Sequence, residues 1–170
     1  TNHMMDKGKA ALMNSVRHWQ SSLIVTSGAF LGPEDRETVR LVERNGISFS
    51  FIGVTFGTNG IPVPESDDLL INLMSDEESM QKQIATAKEK SDFVIVMAHW
   101  GTEYSDQEDA GQVAYAQKLA DWGADLIVGH HPHVIQPIDR LTAADGRTVY
   151  VAYSLGNFIS AQDTVKRLTG

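Results

Sequence analysis

Two apolar runs in this chain end in histidine, and one helical stretch joins them. The first runs from Phe93 to Ala98 into His99-Trp100-Gly101; the second runs from Leu126 to Gly129 into His130-His131-Pro132-His133. Between them, Gln112 to Trp122 reads as a helix closed by Gly123. Strand, helix and strand at this spacing make a βαβ unit, which requires parallel strands and a right-handed crossover. Both histidine clusters then lie beyond the carboxyl ends of adjacent strands, where open α/β sheets place their ligand sites. Four of the six histidines are thereby directed to one spot. That convergence predicts a metal centre.

The bulk numbers narrow what such a chain can do. At 170 residues and 42% hydrophobic it can bury one core, so a single domain over 1–170 is expected. No apolar run is long enough to span a membrane. With no cysteine, any metal must be held by nitrogen and oxygen. A formal charge of −8 argues against a nucleic-acid or anionic-membrane surface. The chain opens on Thr1, so a fragment or a processed product is expected.

The other elements are read from periodicity and turn chemistry. Met5 to Trp19 has helical spacing with Asp6 placed as N-cap, and Leu23 to Val25 reads as a short strand. Asn45-Gly46 separates Thr38–Val42 from Ile47–Val54 as a hairpin signal. Leu69 to Asn72 is a further strand candidate. Ser75, with Glu78 three residues on, is expected to cap a polar helix that runs to about Lys90. Val134–Ile138 and Thr148–Tyr153 read as strands around the Ala144-Asp145-Gly146 turn.

At the histidines, Pro132 biases His131 away from helical geometry, so residues 131–133 are expected to be extended. His131 and His133 then point the same way into one cavity, while His130 points elsewhere or supports from the side. Imidazole suits zinc, iron, copper or nickel alike. Glu103 and Asp106 are nearby acids expected beside the site or in solvent. Tyr104 is placed to orient substrate or to serve structure, and Asn157 to meet the site or to form a turn. Gly57-Thr58-Asn59-Gly60 lacks the phosphate-loop pattern and its lysine. His18 is expected at the surface, and Ser154 has no histidine at a telling spacing.

Three motifs resemble a known family: His99-Trp100-Gly101-Thr102-Glu103-Tyr104, the run from Gly123 to Val134, and Tyr153-Ser154-Leu155-Gly156-Asn157-Phe158. In order and spacing they look like the CapA-type poly-gamma-glutamate capsule family of the calcineurin-like metallophosphoesterases. Asn2-His3, followed by Asp6 and Gly8, resembles the same family's Asn-His motif before a helix. The resemblance implies an α/β fold of the α-β-β-α sandwich type, lacking its N-terminal portion. It implies two divalent transition metals (manganese, iron or zinc), with Asn2, His99, His131 and His133 as ligands and His3 as the catalytic acid or phosphate partner. Whether His130 or His131 fills the first histidine position stays open, because the motif can be laid on the segment in two ways. The family's aspartate-histidine motif and bridging aspartate would lie upstream of Thr1.

By resemblance, the process is capsule or polyglutamate synthesis, outside the cytoplasmic membrane and associated with the cell envelope. Any membrane contact would run through a segment outside this chain. Three functions are distinguished: a metal-dependent phosphoesterase-like hydrolase acting on an anionic phosphoester or polymer intermediate; a non-hydrolytic component that binds the polymer; and a structural domain with packed histidines. Fold analogy alone does not decide among them.

Overall fold

The computed structural model describes residues 1–22, 24–63 and 70–158. Two long apolar runs become adjacent strands, β3 (Phe93–His99) and β4 (Leu126–His130), joined by a helix, α4 (Ala110–Trp122). They are parallel, with Ile95 opposite Leu126 and His99 opposite His130. The helix starts at a capping box, where the Asp109 carboxylate accepts from Gln112 N and the Gln112 side chain accepts from Asp109 N. It stops at Gly123, whose φ of 127° suits glycine.

Around this unit the sheet has six strands in the order β1-β2-β3-β4-β6-β5. The remaining strands are β1 (Leu41–Arg44), β2 (Ile47–Thr55), β5 (Ile138–Thr142) and β6 (Thr148–Ala152). β2, β3, β4 and β6 are parallel, and an antiparallel strand closes each edge. The Asn45-Gly46 turn joins β1 to β2 with both residues at positive φ. One face is covered by α3 (Glu77–Lys90) and α4. There Val94, Val96 and Ala98 of β3 meet Met80, Ile84, Ala116 and Leu119 in the main core. On the opposite face Phe93, Ile95 and Met97, with Leu126 and Val128 of β4, are half-buried. Helix α1 (Gly8–Ser21) packs Leu12 and Val16 on Met5, Leu70 and Ile71 as a second, smaller core. A short helix, α2 (Pro33–Glu37), carries the buried Arg36, which donates to Asn72 and to Asp76. Among the described residues no helix is long and apolar enough to cross a membrane.

Several local expectations shift. Ile24 and Val25 are half exposed and form no strand, while Leu23 lies outside the described residues. Ile71 makes one isolated bridge to Ala29 instead of a strand, and Leu69 lies outside the described residues. Asp76, not Ser75, caps α3, accepting from Ser79 N. Asp6 does not cap α1: Lys7 holds that position without a side-chain bond, and the Asp6 carboxylate pairs with His3 instead. The strand expected at 134–138 lies four residues later, because Ile135 is drawn into a bridge with Leu155.

Candidate metal centre

The ends of β3 and β4 bring His99 and His130 side by side, and backbone bonds hold the edge. Trp100 N donates to His130 O and Phe56 N donates to His99 O. Behind them Trp100 is buried and its Nε1 donates to Tyr153 O at 2.9 Å. Gly129 makes this possible: a Cβ there would lie 1.9 Å from Tyr153 O and 2.6 Å from Trp100 Nε1. Only a residue without a side chain fits β4 at that point.

The chain then bends sharply, and residues 131–133 are not extended. His131 has φ 102° and His133 φ 62°, both in the region that favours glycine. The local bias from Pro132 is overridden by tertiary ties: Tyr104 N donates to Pro132 O, and Ile135 bridges Leu155 just beyond. Tyr104 is itself at φ 63°. Three non-glycine residues in this conformation within one loop pair are a local strain that the surroundings must hold in place.

The bend turns the histidines toward a cavity of about 380 Å³, lined by His99, His130, His131, His133 and Asn157 among others. The His99 and His131 rings stand 4.9 Å apart, and those of His131 and His133 6.2 Å apart. The Asn2 side chain is buried, and its Oδ1 accepts from His99 Nε2 at 2.9 Å. Asn157 Oδ1 lies 2.9 Å from His133 Nδ1 and Tyr104 stacks on the same ring, which fixes its orientation. Burial, with the amino group of Thr1 and then His131, His130 and His133 adding to it, pushes His99 down to about 3, so the imidazole is neutral near pH 7. Burial lowers His130 and His131 as well. His3 sits on the outside, exposed, with Nδ1 2.7 Å from Asp6 Oδ2.

The donor set fits a divalent transition ion. Two atoms on one such ion stand roughly 3–4 Å apart when each bond is near 2.1 Å. Asn2 Oδ1 and His99 Nε2 already face each other at 2.9 Å. Imidazoles with an amide oxygen are a nitrogen-and-oxygen set that such ions accept.

Two contributors were not visible in the sequence. Asn59, in the segment set aside for lacking the phosphate-loop pattern, accepts from Asn2 Nδ2 at 2.8 Å and reaches His3 Nδ1 at 3.2 Å. Its only local signal was the Asn-Gly pair, and it does sit at positive φ. Phe56 lies parallel to the His99 ring and tilts against His131 at 4.8 Å. Glu103, exposed on the loop after β3, brings a carboxylate oxygen within 4.8 Å of donor nitrogens on both His131 and His133.

A mixed six-stranded sheet with histidines gathered beyond its parallel core places the chain among the metallophosphoesterase-type α/β folds. The NAD nucleotidase of Haemophilus influenzae shares this fold, with a TM-score of 0.57 at 16% identity over 91% of this chain and 30% of that one. The chain belongs to the bacterial capsule synthesis protein family PGA_cap, whose model matches residues 1–162. It is 30% identical over 162 residues to the PGA biosynthesis protein CapA of Bacillus subtilis (strain 168). It is 32% identical over 167 residues to the capsule biosynthesis protein CapA of Bacillus anthracis. Each match takes in 95% of this chain but only 41% and 39% of the relatives, so the chain spans about two fifths of their length.

Proposed function

We propose that this chain carries part of a metal-dependent phosphoesterase-type centre that acts on an anionic phosphoester or polymer intermediate in capsule synthesis at the cell envelope. The observation that carries this reading is the meeting of three side chains from distant parts of the sequence. The Asn2 amide oxygen is 2.9 Å from His99 Nε2, and the His131 ring is 4.9 Å from the His99 ring. Asn2, His99, His131 and His133 would hold two divalent ions such as manganese, iron or zinc. When bound, such ions supply charge neutralisation and an activated water at neutral pH.

The chain's own groups have separable tasks in this reading. His99 is neutral, so moving its single proton from Nε2 to Nδ1 is enough to turn the Nε2 lone pair toward an ion shared with Asn2 Oδ1. Asn157 and Tyr104 hold the His133 ring in one orientation, as outer partners of ligating histidines do. His3 is steadied by Asp6 and Asn59 outside the cluster, where it can donate a proton to a leaving oxygen or offset phosphoryl charge. Bound divalent ions would also let a chain of −8 net charge accept an anion at this edge.

The test is elemental analysis of the protein purified without chelator, followed by turnover of bis(p-nitrophenyl) phosphate. Close to two transition ions per chain and hydrolysis that vanishes in His99→Ala are expected. Absence of bound metal after supplying manganese, zinc and iron overturns the reading. Retained metal with polymer binding and no turnover on phosphoesters assigns the non-hydrolytic alternative instead.

A further inference from the structure

We propose that a second cavity, on the α3 side of the sheet, binds a small organic anion: a carboxylate or phosphate ester carried on an apolar body. The site is separate from the histidine cluster and does not depend on the metal reading. The cavity holds about 430 Å³ between α2, β2 and α3, within the size range of small-molecule sites. Phe30, Val39, Phe51, Ile52 and Ala87 give it apolar walls.

The first observation is a buried cation. Arg36 lines the cavity with its side chain only 5% exposed. Its Nε donates to Asn72 Oδ1 at 3.1 Å and its Nη2 to Asp76 Oδ2 at 2.9 Å. Asn72 is locked in turn by Gln83, each amide donating to the other's oxygen at 2.9 Å. These bonds fix the plane of the guanidinium and occupy two of its nitrogens. The third, Nη1, makes no bond among the described residues, so its donors are open to an oxyanion.

The second observation is charge against the background of the chain. Arg36, Arg40, Lys82 and Lys90 line the cavity with a single carboxylate, Glu37, in a chain of −8 net charge. Asp76 and Asp35, the partners of the two arginines, do not line it. Arg40 is committed to Asp35, Thr26 O and Thr38 O, so it frames the site. The lysines are the available part. Lys82 meets only Glu37, at 3.6 Å with both side chains largely exposed, a pair that holds weakly. Lys90 has no ion pair among the described residues. Lys82, Thr86 and Lys90 follow at four-residue spacing on α3, so one helix face presents all three. Cations beside an apolar wall raise the local concentration of anions. A bare ion would leave that wall unused, which is why the ligand needs an apolar body.

The third observation separates the two cavities. Ser27 lines both this one and the one at the histidines. Gly28 and Gly53 cross there so closely that a Cβ on Gly28 would lie 2.8 Å from Gly53 O, and one on Gly53 2.7 Å from Ser27 O. The partition is backbone with no room for a side chain, so the two sites are adjacent but distinct.

The experiment records amide NMR spectra of the protein titrated with phenyl phosphate, phenylacetate, inorganic phosphate and acetate. Saturable shifts are expected at Phe30, Arg36, Phe51 and Lys90, with Kd around millimolar for aromatic probes of about ten heavy atoms. The two bare ions should bind about 10-fold more weakly or worse, for want of an apolar body. The tighter of the two aromatic probes assigns the site to carboxylates or to phosphate esters. Thr86→Phe, which fills the cavity from the helix face, should abolish binding. Lys82→Glu combined with Lys90→Glu should weaken it about 10-fold, at exposed positions that leave folding intact. Both variants should keep whatever metal the wild type binds. No saturable shift, shifts confined to the histidine segments, full affinity in Thr86→Phe, or inorganic phosphate as tight as phenyl phosphate each overturn the proposal. None of these results touches the metal reading, and a protein that binds no metal leaves this site standing.

Discussion

Replacing Gly129 by alanine puts a methyl carbon 1.9 Å from Tyr153 O and 2.6 Å from Trp100 Nε1. Both neighbours are buried, and both belong to elements that cannot move freely: β4 lies between β3 and β6 in the middle of the sheet. The methyl must therefore push the β4 backbone away from Tyr153, or push Trp100 out of its pocket. Overpacking of this kind costs about 1–3 kcal/mol. Separating Trp100 Nε1 from Tyr153 O leaves a buried donor and acceptor unmet, for about 1–3 kcal/mol more. The expected loss is about 2–6 kcal/mol, a large share of the roughly 5–15 kcal/mol that holds a domain together. For a domain of this size that lowers Tm by about 4–24 °C. Urea unfolding followed by tryptophan fluorescence reads it directly, since Trp100 is one of only three tryptophans. A variant within 1 kcal/mol of wild type, with an unchanged m-value, would refute the packing argument and the backbone path into the histidine segment built on it.

Asp125 takes bonds from Lys88 Nζ, Arg147 Nη1 and Val94 N, so Asp125→Ala should cost about 2–4 kcal/mol by leaving the Val94 N–H and Lys88 without this partner, while Arg147 keeps Asp145. Calorimetric Tm checks this, and a loss under 1 kcal/mol would count against it. For Asp35, burial pushes the carboxyl up, but the Leu31 backbone N–H, Arg40 and Gln20 outweigh it and hold it below the ordinary 3.8. A depressed folded value means that this stabilisation is full above pH 3.8 and lost as pH falls below it. Unfolding measured from pH 6 to about pH 2 should show that loss in wild type and a smaller one in Asp35→Asn. Asn59→Gly keeps the backbone tolerant of φ 55° while removing the amide that holds Asn2 and His3. It should weaken metal binding by roughly 10-fold with little change in Tm, and unchanged affinity would exclude Asn59 as a support.

The parts legible in the sequence are those where one local signal and the tertiary structure agree. β3 and β4 are continuous apolar runs because they are central parallel strands, and Gly123 marks the helix end that its left-handed backbone requires. Ile24 and Val25 show the opposite case: β-branched residues read as strand, yet they find no partner and stand in solvent. Asp6 had two outlets, the backbone of α1 or the His3 ring, and nothing in the local sequence says which is nearer. Asn59 is 57 residues from Asn2, so their pairing belongs to the fold rather than to any motif. The conformation of residues 131–133 was hidden for the same reason. A proline rule describes neighbours in sequence, whereas Tyr104 N and Leu155 set the bend.

The left-handed backbone at His131 and His133 carries a cost that a stability selection would act on. Glycine would relieve a cost of about 1–3 kcal/mol at each position, so folding alone favours losing both imidazoles. A lineage screened only for thermal robustness should drift toward glycine or asparagine there and become sturdier as its cavity empties. On the proposed reading, two histidines standing where stability disfavours them would be kept for what the rings do.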